Sequence, residues 1–305
     1  MKPLDLPAGS RGLLEVRKAE IGDRDILSNL IAFESHVHKH LDWKAPLEWL
    51  GQQPFLVLLE GQRITGALAC AVDPVPIAWL RLFVFPSHLS GSATWELLWS
   101  EAMRQLRSMG GAMAAAIATQ RWLDPILLEN GFKLVNHIVL MEMDIGSAHA
   151  SPAHTNPRIR RMQAEDLPRV VEVDAAAFEP LWRNSLPALT NAFGQASYAT
   201  VAENGSSLLG YQLSTGGAFG THLARLAVLP AAQGQGLGAD LVNDLIHHIP
   251  THRERRLTVN TQSDNAASHA LYERLGFRRT GERFPVFALE IPADNAPAHS
   301  PGGGL

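Results

Sequence analysis

The spacing of apolar residues changes along the chain, and those changes mark its elements. Apolar positions from Leu167 to Phe178 recur at helical intervals, whereas Tyr198 to Ala202 and Leu208 to Ser214 read as two strands. Asn204-Gly205 between them predicts a hairpin turn. Leu223 to Leu229 predicts a strand ended by Pro230, and Leu237, Leu241, Val242, Leu245 and Ile246 predict a helix. A short strand at Leu257 to Asn260, a helix at Asn265 to Leu275 and a closing strand at Val286 to Ile291 complete the order.

The first half repeats this plan. Val16-Arg17-Lys18 is echoed by Ile159-Arg160-Arg161, and Gly66 by Gly210. Arg81-Leu-Phe-Val-Phe-Pro86 is echoed by Arg225-Leu-Ala-Val-Leu-Pro230, and Gly131-Phe132 by Gly276-Phe277. Subtraction gives offsets of 143, 144, 144 and 145 residues in chain order, so the order and spacing argue for duplication. The expected division is a first domain over 12–146, a linker over 147–157, a second domain over 158–291 and a mobile tail over 292–305.

Composition narrows the class. The net charge of -4 comes without a basic block, so no nucleic-acid partner is expected. The longest apolar runs are too short to span a bilayer, and no membrane partner is expected. Met1-Lys-Pro-Leu-Asp5 has no apolar segment of the kind a signal peptide needs. The lone Cys70 excludes an internal disulfide framework. A soluble cytoplasmic protein, monomer or homodimer, is the expectation.

The strongest chemical feature is Gln233-Gly234-Gln235-Gly236-Leu237-Gly238-Ala239, between a strand and a helix. Glycines let successive N–H groups turn inward, and the first N–H groups of a helix lack internal partners. Together they make a nest for a pyrophosphate. An ordinary Gly-rich turn fits the same residues. A P-loop does not, because no Gly-Lys-Ser/Thr follows. Gly234, Gly236 and Ala239 also meet the G-x-G-x-x-A dinucleotide pattern. Against it, the next strand ends Leu257-Thr-Val-Asn260 without the ribose-binding acid, and a hairpin and a third strand precede the loop.

Gln233, Gly236 and Gly238 fit Q/R-x-x-G-x-G/A. Some thirty residues on, Asn265-Ala-Ala-Ser268-His-Ala-Leu-Tyr272-Glu-Arg-Leu-Gly276-Phe277 fits N-x-x-[AS]-x-x-[LF]-Y-x-x-x-G-F. With these motifs the chain resembles the GNAT superfamily of acyl-CoA-dependent N-acetyltransferases. The second half looks most like the ribosomal-protein alanine N-acetyltransferases, and the tandem layout looks like mycothiol synthase. The resemblance implies an α/β (α+β) fold of two tandem domains, each a mixed, mostly antiparallel sheet flanked by helices.

It also implies roles. Leu226, Ala227 and Val228 would present the strand edge to the pantetheine arm. The N–H groups from Gly234 to Ala239 would hold the pyrophosphate, with Gln233 at the loop's entry. Asn265 and Ser268 would touch the far end of the arm, and Tyr272 would protonate the leaving thiolate. Acetyl-CoA is the implied cosubstrate and a primary amine the acceptor, attacked directly in a ternary complex. Asn260 stands where the alanine N-acetyltransferases carry a glutamate, so the base is open. Glu179, or a water held by Asn260, is a candidate. An α-amine with a pKa of about 8 needs less help than a lysine at about 10.4.

The acceptor groove is expected along Phe178-Glu-Pro-Leu-Trp182-Arg183-Asn184. In the first half, Ser87-His-Leu-Ser-Gly91-Ser-Ala-Thr94 replaces the glycine loop and Leu127 replaces Tyr272, so a degenerate partner domain without a cofactor site is expected. Trp43, Trp49, Trp79, Trp95, Trp99 and Trp122 read as packing. Of His36, His38 and His40, at i, i+2 and i+4, only His36 and His40 would share a helix face. With no third ligand, no metal is expected. The alternative to an enzyme is a non-catalytic acyl-CoA-binding or regulatory module.

Overall fold

A computed structural model describes residues 14–145, 158–217, 220–249 and 256–294. The expected linker and residues 295–305 of the expected tail lie outside these. The first half runs β1 (Leu14–Lys18), α1 (Arg24–Phe33), β2 (His36–Lys39), β3 (Phe55–Glu60), β4 (Arg63–Ala69), β5 (Ile77–Trp79), β6 (Leu82–Phe85), α2 (Gly91–Ser108), β7 (Ala112–Ile117), α3 (Leu123–Glu129) and β8 (Lys133–Asp144). The second runs β9 (Arg158–Arg161), α4 (Leu167–Ala177), α5 (Leu186–Gln195), β10 (Tyr198–Asn204), β11 (Ser207–Gly217), β12 (Gly220–Val228), α6 (Leu237–His248), β13 (Arg256–Gln262), α7 (Ala266–Arg274) and β14 (Arg278–Ile291). The expected α/β class is present, with mixed sheets that are mostly antiparallel. Only β5 with β7 and β12 with β13 run parallel among the described strands.

The halves do not keep separate sheets. A five-stranded sheet has the order β1-β3-β4-β6-β2, and a nine-stranded sheet has the order β5-β7-β14-β8-β13-β12-β11-β10-β9. β14, from the end of the chain, therefore pairs with β7 of the first half and with β8. β8, in turn, separates β13 from β14. Each half closes its sheet with the other's last strand. The sequence reading placed the closing strand at Val286 to Ile291, but it begins at Arg278, directly after the left-handed Gly276 that ends α7. Phe277 N–H returns to the Tyr272 carbonyl across that stop, as a Schellman turn requires.

Helices α6 and α7 cover one face of the second half. Val242, Leu245 and Ile246 meet Leu257, Val259, Tyr272 and Phe277 there. Helices α4 and α5 cover the other face, where Val170, Val173 and Leu189 meet Val201, Tyr211, Leu213 and Ala227. In the first half α2 packs Trp95, Leu98 and Trp99 on Leu56, Leu58, Phe83 and Ala114. The predicted packing role of the tryptophans holds for Trp49, Trp79, Trp95 and Trp99, all buried.

One register difference separates the copies. β12 pairs with β13 only from Thr221–Leu257 to Leu223–Val259, and beyond that the strands part in a V. Leu229 N–H donates to Leu209 on β11, so by strand alternation Leu226 and Val228 turn their backbone groups into the V. In the first half His40 N–H donates to the Arg81 carbonyl, in register with His38–Phe83 and His36–Phe85, so Phe83 and Phe85 turn their backbone groups to the corresponding gap. There β2 fills it, pairing His36 to Lys39 against Phe85 to Leu82. His36, His38 and His40 are thus on extended chain, where alternate residues share a face, and not on a helix. They are packing residues: His36 stacks on Phe85 at 4.5 Å, His40 on Trp79 at 4.7 Å, and His38 meets the Leu80 carbonyl at 3.1 Å.

The exchange of closing strands makes a direct prediction. Residues 158–294 produced alone would lose one neighbour of β13 and both neighbours of β14, exposing three hydrogen-bonding edges. That fragment should aggregate or self-associate in size-exclusion chromatography. A monomeric fragment with one cooperative melting transition would contradict the account.

Candidate functional site

The site is built where β12 ends. A single short turn at Pro230–Ala232 leads into the glycine loop, and Gly236 forms the N-cap of α6 at φ +88°. Gly234 is also left-handed, at φ +75°. Both angles are strained for any residue with a Cβ. Gly238 is small for a different reason: a Cβ there would stand 3.2 Å from the Leu271 side chain, so α6 packs close on α7. The result is a run of N–H groups, from Gly234 to Gly238, that no acceptor among the described residues takes. Ala239 and Asp240 already donate to the Gly236 carbonyl. Gln233 does not point into the nest. Its Nε2 donates to the Val228 carbonyl at 3.0 Å and ties the loop to the mouth of the V.

Asn265 caps α7, accepting the Ser268 N–H at 3.0 Å, as its position suggested. Tyr272 lies one turn after Ser268 on α7 and is 4% exposed, packed against Phe277 at 5.4 Å between ring centroids. Its hydroxyl has no hydrogen-bond partner among the described residues. Burial pushes that hydroxyl above the ordinary phenol range, so it stays protonated at neutral pH. Asn260 is exposed on β13 and faces away from Tyr272's side of the sheet, because Leu257 and Val259 of the same strand are the residues in the α6–α7 core.

The other face of the V is organised by a buried ion pair that the sequence reading did not single out. Arg225 places two nitrogens 2.8 and 2.7 Å from Asp174 Oδ2. It also donates to the Trp182 carbonyl at 2.6 Å and lies over the Phe178 ring at 3.5 Å. Asp174, fully buried on α4, also accepts from the Tyr211 hydroxyl and from the Asn184 N–H at 2.8 Å. Arg183 Nε donates to the Phe178 carbonyl at 2.9 Å. Phe178, Trp182 and Arg183 are therefore gathered around one strand residue beside the V. Glu179, in the same loop, is exposed. The available signal was the repeat itself, since Arg81 occupies the matching position and pairs with Asp42 at 2.6 Å over the Trp49 ring.

The floor on this face belongs to both halves. Residues 258, 260 and 262 of β13 stand beside Glu142, Leu140 and Ile138 of β8. Trp182 packs into an apolar cluster with Ile138, Val286 and Trp79 of the nine-stranded sheet. No group of three or more metal-ligating side chains occurs among the described residues, and no described helix is long and apolar enough to cross a membrane.

The profile of the acetyltransferase (GNAT) family matches residues 159–277. A 5-NmdU N-acetyltransferase of Pseudomonas phage PaMx11 is 42% identical over 62 residues, 20% of this chain, and the match spans 42% of the phage protein's length. A proposed ribosomal-protein alanine N-acetyltransferase of Bacillus subtilis (strain 168) is 26% identical over 132 residues, which cover 42% of this chain and 85% of that protein. Among solved structures, a tandem GNAT protein from the clavulanic acid biosynthesis pathway superposes with a TM-score of 0.64 at 18% identity, covering 92% of this chain and all of that one. Residues 159–277 are thus similar to the acetyltransferase (GNAT) family, and the fold of the chain is similar to that of a tandem GNAT protein.

Proposed function

We propose that the second half transfers an acetyl group from acetyl-coenzyme A to a primary amine, a small molecule or a peptide α-amine, by direct attack. The observation that carries this reading is the pairing of an open strand edge at Leu226 and Val228 with the unpartnered N–H groups of 234–238. One suits the amides of a pantetheine arm, the other a pyrophosphate, and the V connects them. Two left-handed glycines and the close Gly238–Leu271 contact keep side chains out of that path.

Acetyl-coenzyme A would supply an activated thioester; the remaining work falls to the chain. The Leu226 backbone groups and the Val228 N–H hold the arm as an added strand would. An N–H on that edge would polarise the acetyl carbonyl as negative charge develops on its oxygen. Tyr272, kept protonated by burial, would give its proton to the departing sulfur. The loop held by Arg225 lines the approach of the amine with Phe178, Trp182 and Arg183, and proximity in one cleft lowers the barrier. A non-catalytic acyl-CoA-binding module is the second reading, favoured by Asn260 standing where relatives of the alanine type carry an acid. In the first half β2 takes the place of the arm, so this reading gives one coenzyme site per chain.

Three outcomes follow. Tyr272→Phe should bind coenzyme A within a few-fold of the parent yet release thiol from acetyl-coenzyme A, in the presence of an amine, about 10²-fold or more slowly. Equal rates would remove the tyrosine from the reaction, and a parent protein that releases no thiol with any amine of a broad screen would leave the binding-module reading. Gly236→Ala should add about 1–2 kcal/mol of left-handed strain to the loop and weaken coenzyme A roughly tenfold. Unchanged affinity would detach the nest from binding. Calorimetric titration with coenzyme A should saturate at one equivalent per chain, and a second equivalent would contradict the filling of the first groove by β2.

A further inference from the structure

The reaction proposed above lacks a proton acceptor for the amine, and Asn260 cannot serve. His222 stands on the face of β12 where one is needed. It is paired in register with Thr258, one residue before the last paired position, Leu223–Val259, at which the V opens. Leu257 and Val259 turn toward α6 and α7, so Thr258 and Asn260 turn the other way. His222, which bonds Thr258, shares that face. After the bulge at Ala224, Arg225 points there as well, toward Asp174 on α4. This is the face lined by Phe178 and Trp182.

Its hydrogen bonds select one ring nitrogen. His222 Nδ1 lies 2.8 Å from Thr258 Oγ1, and that hydroxyl points in turn at the Thr221 carbonyl, 3.5 Å away. A hydroxyl that donates to the carbonyl must accept from Nδ1–H. The lone pair is then on Nε2, which has no hydrogen-bond partner among the described residues. Burial also disfavours the imidazolium, holding the ring neutral below its ordinary range near pH 6.5. The charged groups on the surrounding elements are engaged: Glu142 on β8, opposite Thr258, with Arg256 of β13, and Arg225 with Asp174. Thr215, paired with His222 on β11, is uncharged, and Glu179 is exposed on the loop after α4.

We infer that His222, oriented by Thr258, is the proton acceptor for the acceptor amine, taking its proton on Nε2. The inference rests on the acetyltransferase reading. As the N–C bond forms, Nε2 receives the proton the nitrogen sheds. As the C–S bond breaks, its electron pair leaves on sulfur, which Tyr272 protonates. Net proton transfer from imidazolium to phenolate through solvent restores both side chains, and the products are the amide and the free thiol.

Two measurements on the full chain test this. In histidine-¹⁵N-labelled protein at pH 7.5, long-range ¹H–¹⁵N spectra should show His222 neutral with its proton on Nδ1, and Thr258→Val should mix the tautomers. A proton fixed on Nε2, or an imidazolium at that pH, overturns the proposal. The kinetic arm uses thiol release from acetyl-coenzyme A with alaninamide, or with the best amine of the screen if alaninamide is not acetylated. Protonation of the amine alone gives log kcat/KM a slope of one toward acid. In the parent the slope should steepen toward two below about pH 6.5, because the imidazole then titrates as well. His222→Gln should keep a slope of one, lose about 10²-fold in kcat and bind coenzyme A within threefold of the parent, which shows an intact fold. Parent-like kinetics in His222→Gln overturn the assignment while leaving the acetyltransferase reading. A parent inactive with every amine overturns both.

Discussion

Every strand has two edges, and each backbone N–H and C=O on them needs a partner from the protein, solvent or a ligand. The copies meet this demand differently at one place. Where the fourth strand of each unit parts from the fifth, the first half inserts its own β2 and satisfies Phe83 and Phe85. The second half leaves Leu226 and Val228 facing a gap and adds a loop of further unpaired donors at its mouth. One frame is closed by its own chain and the other is left open. The segment of the second half matching β2 lies near 180–183. It is held beside the gap, not in it, because Arg225 ties it to α4 through Asp174, the Trp182 carbonyl and the Phe178 ring.

The closing strands bring the halves into one body. β8 and β14 lie side by side at the centre of the nine-stranded sheet, so neither unit completes its sheet without the other. This places Leu140 and Glu142 of the first half next to Asn260 and Thr258. The first half thus contributes to the floor of the face lined by Phe178 and Trp182, even though its own gap is filled.

Local features were legible in the sequence. The helical spacing of Leu237 to Ile246, the turn at Asn204-Gly205 and the stop at Gly276 depend on neighbours a few residues apart, and the structure has α6, the β10–β11 hairpin and the end of α7 there. The glycine loop is legible for the same reason, since its φ angles are a property of the loop itself. What periodicity cannot carry is partner choice. β14 reads equally well as the last strand of its own half or of a shared sheet, because alternation fixes faces and not neighbours. His36, His38 and His40 alternate as a strand, yet three residues are too few to decide between periods. α5 went unread although Ser185 caps it, because Leu186-Pro187 opens a short helix whose burial depends on α4 and β11. Arg225–Asp174 and His222–Thr258 join residues 51 and 36 positions apart, and only the fold brings them together.

The account therefore turns on which backbone edge is free. Residue-resolved amide hydrogen exchange, with and without coenzyme A, reads that directly. Without ligand, Phe83 and Phe85 should be protected by β2, while Leu226, Val228 and the amides from Gly234 to Gly238 exchange quickly. Coenzyme A should slow exchange at the second set and leave the first unchanged. Protection appearing at Phe83, Phe85 or 87–94 on adding coenzyme A, or none at 226–238, would contradict the assignment of the open edge.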